Sequence, residues 1–262
     1  MISEIDFMDS KLTSLLNSIN NITLENYKIT VTRTNTDSNQ SSNQSEQGNN
    51  EGNTESSGNE KGLNQNTSSN SRNTVLEKYS LETEGILTNK TDINWNEIKN
   101  EVETLYTIIP TITLDLYNMN INQEDILNFN EELDDLTIAV KNEDKENSLI
   151  KLANLYRYLP AYANSLSNDS NYISVLETKS NIFNAYVFVD LDNWDEASNY
   201  TNKAIESFSR ALNNIHEKNT YDTNKTYIIL NEIQNAVNIK DKDVFLIKYK
   251  NFIEETEKQG NE

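Results

Sequence analysis

Apolar positions recur at spacings of three and four along most of the chain. Between residues 3 and 22 they are Ile5, Met8, Leu12, Leu15 and Ile19, a spacing that puts them on one face of a helix. The stretch "YKITVT" then alternates, with Tyr27, Ile29 and Val31 on one side and Lys28, Thr30 and Thr32 on the other. Alternation with β-branched residues predicts a strand. A weaker alternation runs through Val75, Glu77, Tyr79 and Leu81. Between them the run "SNQSSNQSEQGNNEGNTESSGNEKG" has no large apolar residue, and Leu63 is the one apolar side chain of any size in residues 35–74. Such a segment cannot bury enough surface to offset roughly 1–2 kcal/mol per residue of ordering entropy. The expectation is a disordered Asn/Ser/Gln-rich linker or insert. Loop closure grows only logarithmically with length, so an insert of this size between two paired strands is tolerable.

From Asp92 onward the helical period takes over. Trp95, Ile98, Val102, Leu105, Ile109, Ile112 and Leu116 form the first stripe. Ile126, Phe129, Leu133, Leu136 and Val140 form the second, and Leu152, Leu155, Leu159, Tyr162 and Leu166 the third. Tyr172, Val175, Ile182, Tyr186 and Val189 follow, interrupted only by Lys179. Trp194, Ala197, Thr201, Ala204, Phe208, Ala211 and Ile215 repeat the pattern, and two shorter helices are expected near residues 223–238 and 241–257. Links such as "MNIN", "KNED" and "SNDS" are too short for anything but antiparallel neighbours. Asn122, and Asp169 or Ser170, stand where N-cap side chains belong.

The predicted fold class is mainly α. It is an antiparallel up-and-down bundle of tetratricopeptide-like helix hairpins, with a short β-hairpin near the N-terminus. The division expected is an N-terminal helix and strand over 1–34, the linker or insert over 35–74, a strand and connector over 75–91, the bundle over 92–257 and a tail over 258–262. "LYTIIPTITLDL" (105–116) and "LYRYLPAYANSL" (155–166) resemble each other, and Trp95 and Trp194 begin matching helices as core residues. Both features fit a loose fifty-residue hairpin period. Pro110 and Pro160 are expected to kink their helices, either bending them around the core or opening a ligand crevice.

Charge and composition narrow the chemistry. The 262 residues carry a net charge of −20, from 42 acidic against 22 basic side chains. Such a chain repels nucleic acid and anionic headgroups. With no cysteine there is no disulfide, thiolate metal site or cysteine nucleophile. Two prolines and six glycines favour helices with short connections. No apolar run is long enough to span a membrane, and the start "MISEIDFMDS" has neither the basic nor the apolar region of a signal peptide. His216 is the single histidine, which rules out a multi-histidine metal site and predicts a helix-end role. Asp190, Asp192 and Asp195 in "VDLDNWDEA" are the weak metal candidates. Counted from Asp190, the glycine and glutamate positions of an EF-hand hold Asp195 and Thr201 instead. Helix capping is therefore the expected role, no metal or cofactor is expected, and calcium should act only by screening. The acidic run "NEELDDL" lacks the Glu-x-x-His pairs of a diiron site and reads as a solvated helix face. No glycine-rich phosphate loop is present.

Residues 185–205 look like the centre of a tetratricopeptide repeat, with Ala197 and Ala204 at the small positions and Trp194 at the bulky one. Thr201 stands where an aromatic residue is expected. The stretches "DINWNEIKNEVETLY", "NQEDILNFNEELDDLTIAVKNEDK", "LANLYRYLP", "NWDEA" and "KDKDVFLIKYKNFIEE" together resemble a family of uncharacterised clostridial and other Firmicute lipoproteins with a C-terminal helical bundle. That resemblance covers roughly Asp92 to Glu255. It implies a membrane-anchored lipoprotein of the cell envelope, although the chain has no lipobox cysteine. The function expected is a non-catalytic extracytoplasmic binding or adaptor module, not an enzyme, with a protein or envelope partner, no nucleic acid, and membrane contact only through a lipid anchor. Two other readings fit the same residues: an acidic bundle that binds a divalent cation or small ligand, with or without turnover, and a cytoplasmic helical-repeat scaffold.

Overall fold

A computed structural model describes residues 2–24, 28–33, 75–80, 85–88, 92–119, 121–214 and 220–259. The polar run 35–74 and His216 lie outside the described residues.

The protein is a mainly α helical bundle. In chain order the helices are α1 (Ile2–Ile19), α2 (Trp95–Asn118), α3 (Gln123–Lys141), α4 (Lys145–Tyr156), α5 (Tyr158–Leu166), α6 (Ser170–Asp190), α7 (Trp194–Asn214), α8 (Thr220–Ile239) and α9 (Lys242–Gln259). Two strands, β1 (Lys28–Arg33) and β2 (Val75–Ser80), pair antiparallel with Ile29 opposite Tyr79 and Val31 opposite Glu77. They form a separate unit over Asn26–Glu82, whereas Met1–Glu25 and Thr83–Glu262 form the helical unit.

This division corrects the expected one. α1 does not stand apart from the 92–257 bundle but packs in it, against α2, α4 and α5. The reason is the width of its buried surface: Ile5, Met8, Leu12, Leu15, Leu16 and Ile19 are all within 2% of complete burial. That apolar area has to be covered by other helices.

α6 is the central helix. It packs against α7 most extensively and against α4, α5 and α9 as well. Phe183 at its middle is fully buried, 4.4 Å from the Tyr156 ring and 6.3 Å from Tyr249, centre to centre. The stripes read from the sequence are buried through Ile98–Leu116 and Ile126–Val140, and again through Leu152–Tyr162. Trp95 and Trp194 depart from expectation: both are partly buried and lean on the core edge instead of filling it.

Three helix hairpins, α3–α4, α6–α7 and α8–α9, share one turn. Glu143, Asp192 and Lys240 each adopt a left-handed backbone, with φ of 57°, 55° and 57°. The next residue donates its N–H back to the carbonyl five positions earlier: Asp144 to Ala139, Asn193 to Phe188, and Asp241 to Ala236. That residue is also the N-cap of the following helix, since the side chains of Asp144, Asn193 and Asp241 accept from Asn147, Glu196 and Val244. One helix is thus closed and the next opened within two residues. The three left-handed residues stand 49 and 48 positions apart, so the period near fifty has a structural counterpart in the turns.

The third stripe is not one helix. It breaks at Arg157 into α4 and α5, and Pro160 becomes the third residue of α5. A proline lacks an N–H and crowds the carbonyl four residues back, here Tyr156, the last residue of α4. Pro110, in the similar stretch of α2, lies inside a continuous helix on its exposed side.

Candidate functional site

The residue that interrupts the α6 stripe organises the most highly charged part of the interior. The side chain of Lys179 is 3% exposed. Its Nζ donates to both carboxylate oxygens of Asp9 on α1, at 2.7 and 2.8 Å, and to Glu257 on α9 at 3.1 Å. The Tyr156 hydroxyl on α4 donates to the same Asp9 carboxylate at 2.5 Å. The ammonium group thus joins α6 to α1 and α9, and Asp9 joins α4 to them through Tyr156. Burial alone pulls the lysine pKa down, but Asp9 and Glu257 more than offset this, and it stands above the usual lysine value. The amine is held as a cation. Burial, followed by the negative charge of Asp9, pushes the Tyr156 phenol well above the usual tyrosine range.

Two more phenols extend this network along α1. Tyr172 donates to Asp6 at 2.7 Å, and buried Tyr249 donates to Oδ1 of Asn17 at 3.0 Å. Desolvation raises the pKa of both groups, with Asp6 adding to the rise for Tyr172. The tyrosines that the sequence placed beside the apolar stripes thus bury their rings and give their hydroxyls to polar partners.

A polar groove of about 420 Å³ runs beside this network. α1 supplies its wall through Ser10, Thr13, Ser14, Asn17 and Ser18, while Glu97 and Glu257 bring carboxylates. Asn17 is only 4% exposed, and its Nδ2 has no hydrogen-bond partner. A second groove, of about 370 Å³, lies between α5, α6 and α7. Arg157, Lys203 and Arg210 line it together with Glu177 and Glu206. Arg210 is paired with Glu177, and Lys203 sits 4.4 Å over the Tyr200 ring, which itself stacks on Phe188. Pro160 lines this second groove and Pro110 lines neither, so the two prolines do not open a common crevice.

The three aspartates considered for a metal have separate roles. Asp190 ends α6 and accepts from Lys145 at 2.9 Å and from Lys242. Burial opposes its ionisation, but the two lysines outweigh it and hold its pKa below the usual carboxylate range. Asp192 is the left-handed residue of the turn, and Asp195 lies in the first turn of α7. Among the described residues no three histidine or acidic side chains converge as metal ligands. Thr201, out of place for a tetratricopeptide aromatic, is buried and donates to Gln234 of α8.

Sequence reasoning found Lys179 only as an interruption of a stripe. Nothing in the local pattern marks Asp9, Glu257 or Asn17, because their partners lie more than seventy positions away. No protein-family description, curated protein or solved structure matches the chain. No helix among the described residues is long and apolar enough to cross a membrane.

Proposed function

We propose that the chain is a non-catalytic binding or adaptor module that works outside the cytoplasmic membrane, as a cell-surface lipoprotein does. The observation carrying the non-catalytic part is the Lys179 cluster. A buried lysine is the side chain best placed to act as an unprotonated nucleophile. Here two carboxylates hold it as a cation. Asp190 is likewise consumed by two lysines. Polar side chains line the two described grooves, where a ligand could reach them. The extracytoplasmic part rests on the resemblance of residues 92–255 to Firmicute lipoproteins. The α6–α7 hairpin, with Ala197 and Ala204 fully buried at its small positions, supports a tetratricopeptide-like design for the hairpins.

The test is a photo-cross-linking residue at Lys203 in intact cells, with a matching one at exposed Ile138 as control. A discrete adduct with one cell-envelope component from the groove position alone is expected. Adducts with cytoplasmic proteins only, or equal labelling from both positions, would contradict the reading.

A small-ligand reading has its own support, the first groove lined by hydroxyl and amide side chains.

A further inference from the structure

We propose that the groove between α5, α6 and α7 binds a polar monocarboxylate of the size of an N-acylated amino acid, with Arg157 and Arg210 as its central contacts. The proposal rests on the non-catalytic binding reading and names the ligand class for the groove that Lys203 lines.

The placement of cations leads there first. The sequence holds four arginines, and the two within the helical unit, Arg157 and Arg210, both line this groove beside Lys203. In a chain of net −20 that gathering runs against the overall field. All three of these residues are exposed. Among the described residues Arg157 and Lys203 form no ion pair. Arg210 spends a single Nη on Glu177 and Ser207, so with 56% of its side chain exposed its other N–H groups remain for a ligand. A guanidinium fork matches a carboxylate with two parallel hydrogen bonds. Lys203 stands 4.4 Å over the Tyr200 ring, which Phe188 backs, and this contact keeps the ammonium at the groove.

The balance of charge then selects among anions. The three cations share the lining with two carboxylates, Glu177 and Glu206. The surplus of one positive charge suits a monoanion, whereas the second charge of a phosphate dianion would meet Glu206 without compensation. The amides of Asn181 and Asn184 also line the groove and suit an amide group next to the carboxylate. Glu206, itself exposed, offers an acceptor to the N–H of that group. At about 370 Å³ the groove falls in the size range of small-molecule sites.

The experiment is NMR on the full chain labelled with ¹⁵N-arginine, titrated separately with N-acetylglycine, its neutral amide and inorganic phosphate at constant ionic strength. With N-acetylglycine the Nε–H signals of Arg157 and Arg210 should shift saturably while those of Arg33 and Arg72 stay in place. The neutral amide should shift none of them, and phosphate should bind more weakly. Arg157→Gln should weaken N-acetylglycine binding at least about tenfold, read on the Arg210 signal. The same spectrum reports whether the variant is folded, and Arg157→Ala serves if it is not. No saturable shift with N-acetylglycine overturns the proposal. So does an equal response to the neutral amide, phosphate binding as tight as that of N-acetylglycine, or unchanged affinity in the folded variant. The probe's own resonances separate the two claims. If N-acetylglycine is recovered unchanged, both stand; if it is cleaved to acetate and glycine, the site stands and the non-catalytic reading falls. A discrete cross-link at Lys203 without any carboxylate binding would keep the module and remove this ligand class.

Discussion

At the scale of single residues, the molecule is defined by where its buried charges end. Lys179 is 3% exposed and Asp9 is 19% exposed. Removing one partner of such a pair leaves a charge without compensation, which costs about 3 kcal/mol or more. Lys179→Met is therefore expected to lower the unfolding free energy by about 3 kcal/mol in urea titrations, with the helical signal retained at low denaturant. The alkaline limb of stability tests the same group. Lys179 and Tyr156 both have pKa values raised in the folded state. The unfolded chain releases those protons first, so stability is complete below the ordinary pKa values and is lost as pH rises above them. Unfolding free energy should fall between about pH 9 and pH 12, and Tyr156→Phe should make that fall shallower. An unchanged slope would remove Tyr156 from the account. These contacts were barely legible beforehand. A lysine in an apolar stripe is visible in a sequence, but which carboxylates meet it depends on how remote helices pack.

At the scale of elements, the period of three and four residues carried most of the information. It placed the helices because burial on one face leaves a regular trace in the chain. It failed at Arg157, where the stripe continues through a break. Periodicity records which face is buried, whereas the proline acts on the backbone four residues earlier. The two prolines should accordingly respond differently to replacement. Pro160 lies in the first turn of α5, where an N–H needs no intrahelical partner, so Pro160→Ala should change stability little. Pro110 lies within the continuous α2 on its exposed side, and Pro110→Ala should raise stability by up to about 3 kcal/mol. Equal effects at both sites would contradict these positions. The repeated turn offers a second check. Glu143 and Lys240 hold a left-handed backbone that glycine adopts without a Cβ penalty. Glu143→Gly and Lys240→Gly should each raise the melting point slightly, by a gain of several tenths to about 1 kcal/mol. A loss at both positions would mean that their side chains matter more than the turn.

At the scale of the whole molecule, the chain carries a net charge of −20, and the bundle pairs Lys179 and Asp190 with opposite charges in its interior. The aspartates of "VDLDNWDEA" invite a cation from sequence alone, because one-dimensional spacing does not show that Asp190 already faces two lysines. A bound ion at a hundred times its dissociation constant would add about 2.7 kcal/mol. Calcium is instead expected to raise the melting point no more than sodium chloride at matched ionic strength. A calcium-specific rise abolished by Asp192→Asn would reverse that conclusion. The joining of α1 to the rest of the bundle was illegible for a related reason. Its stripe predicts a helix with a buried face, but the residues that cover the face come from α2, α4 and α5, beyond a long stretch of intervening chain. Lys179 ties α1 to α6 through Asp9 as a structural cation. A double-mutant cycle on Lys179→Met and Asp9→Asn, read by denaturant unfolding, measures that tie. A coupling of about 1–3 kcal/mol between the two sites is expected. Effects that add to within about 0.5 kcal/mol would contradict it.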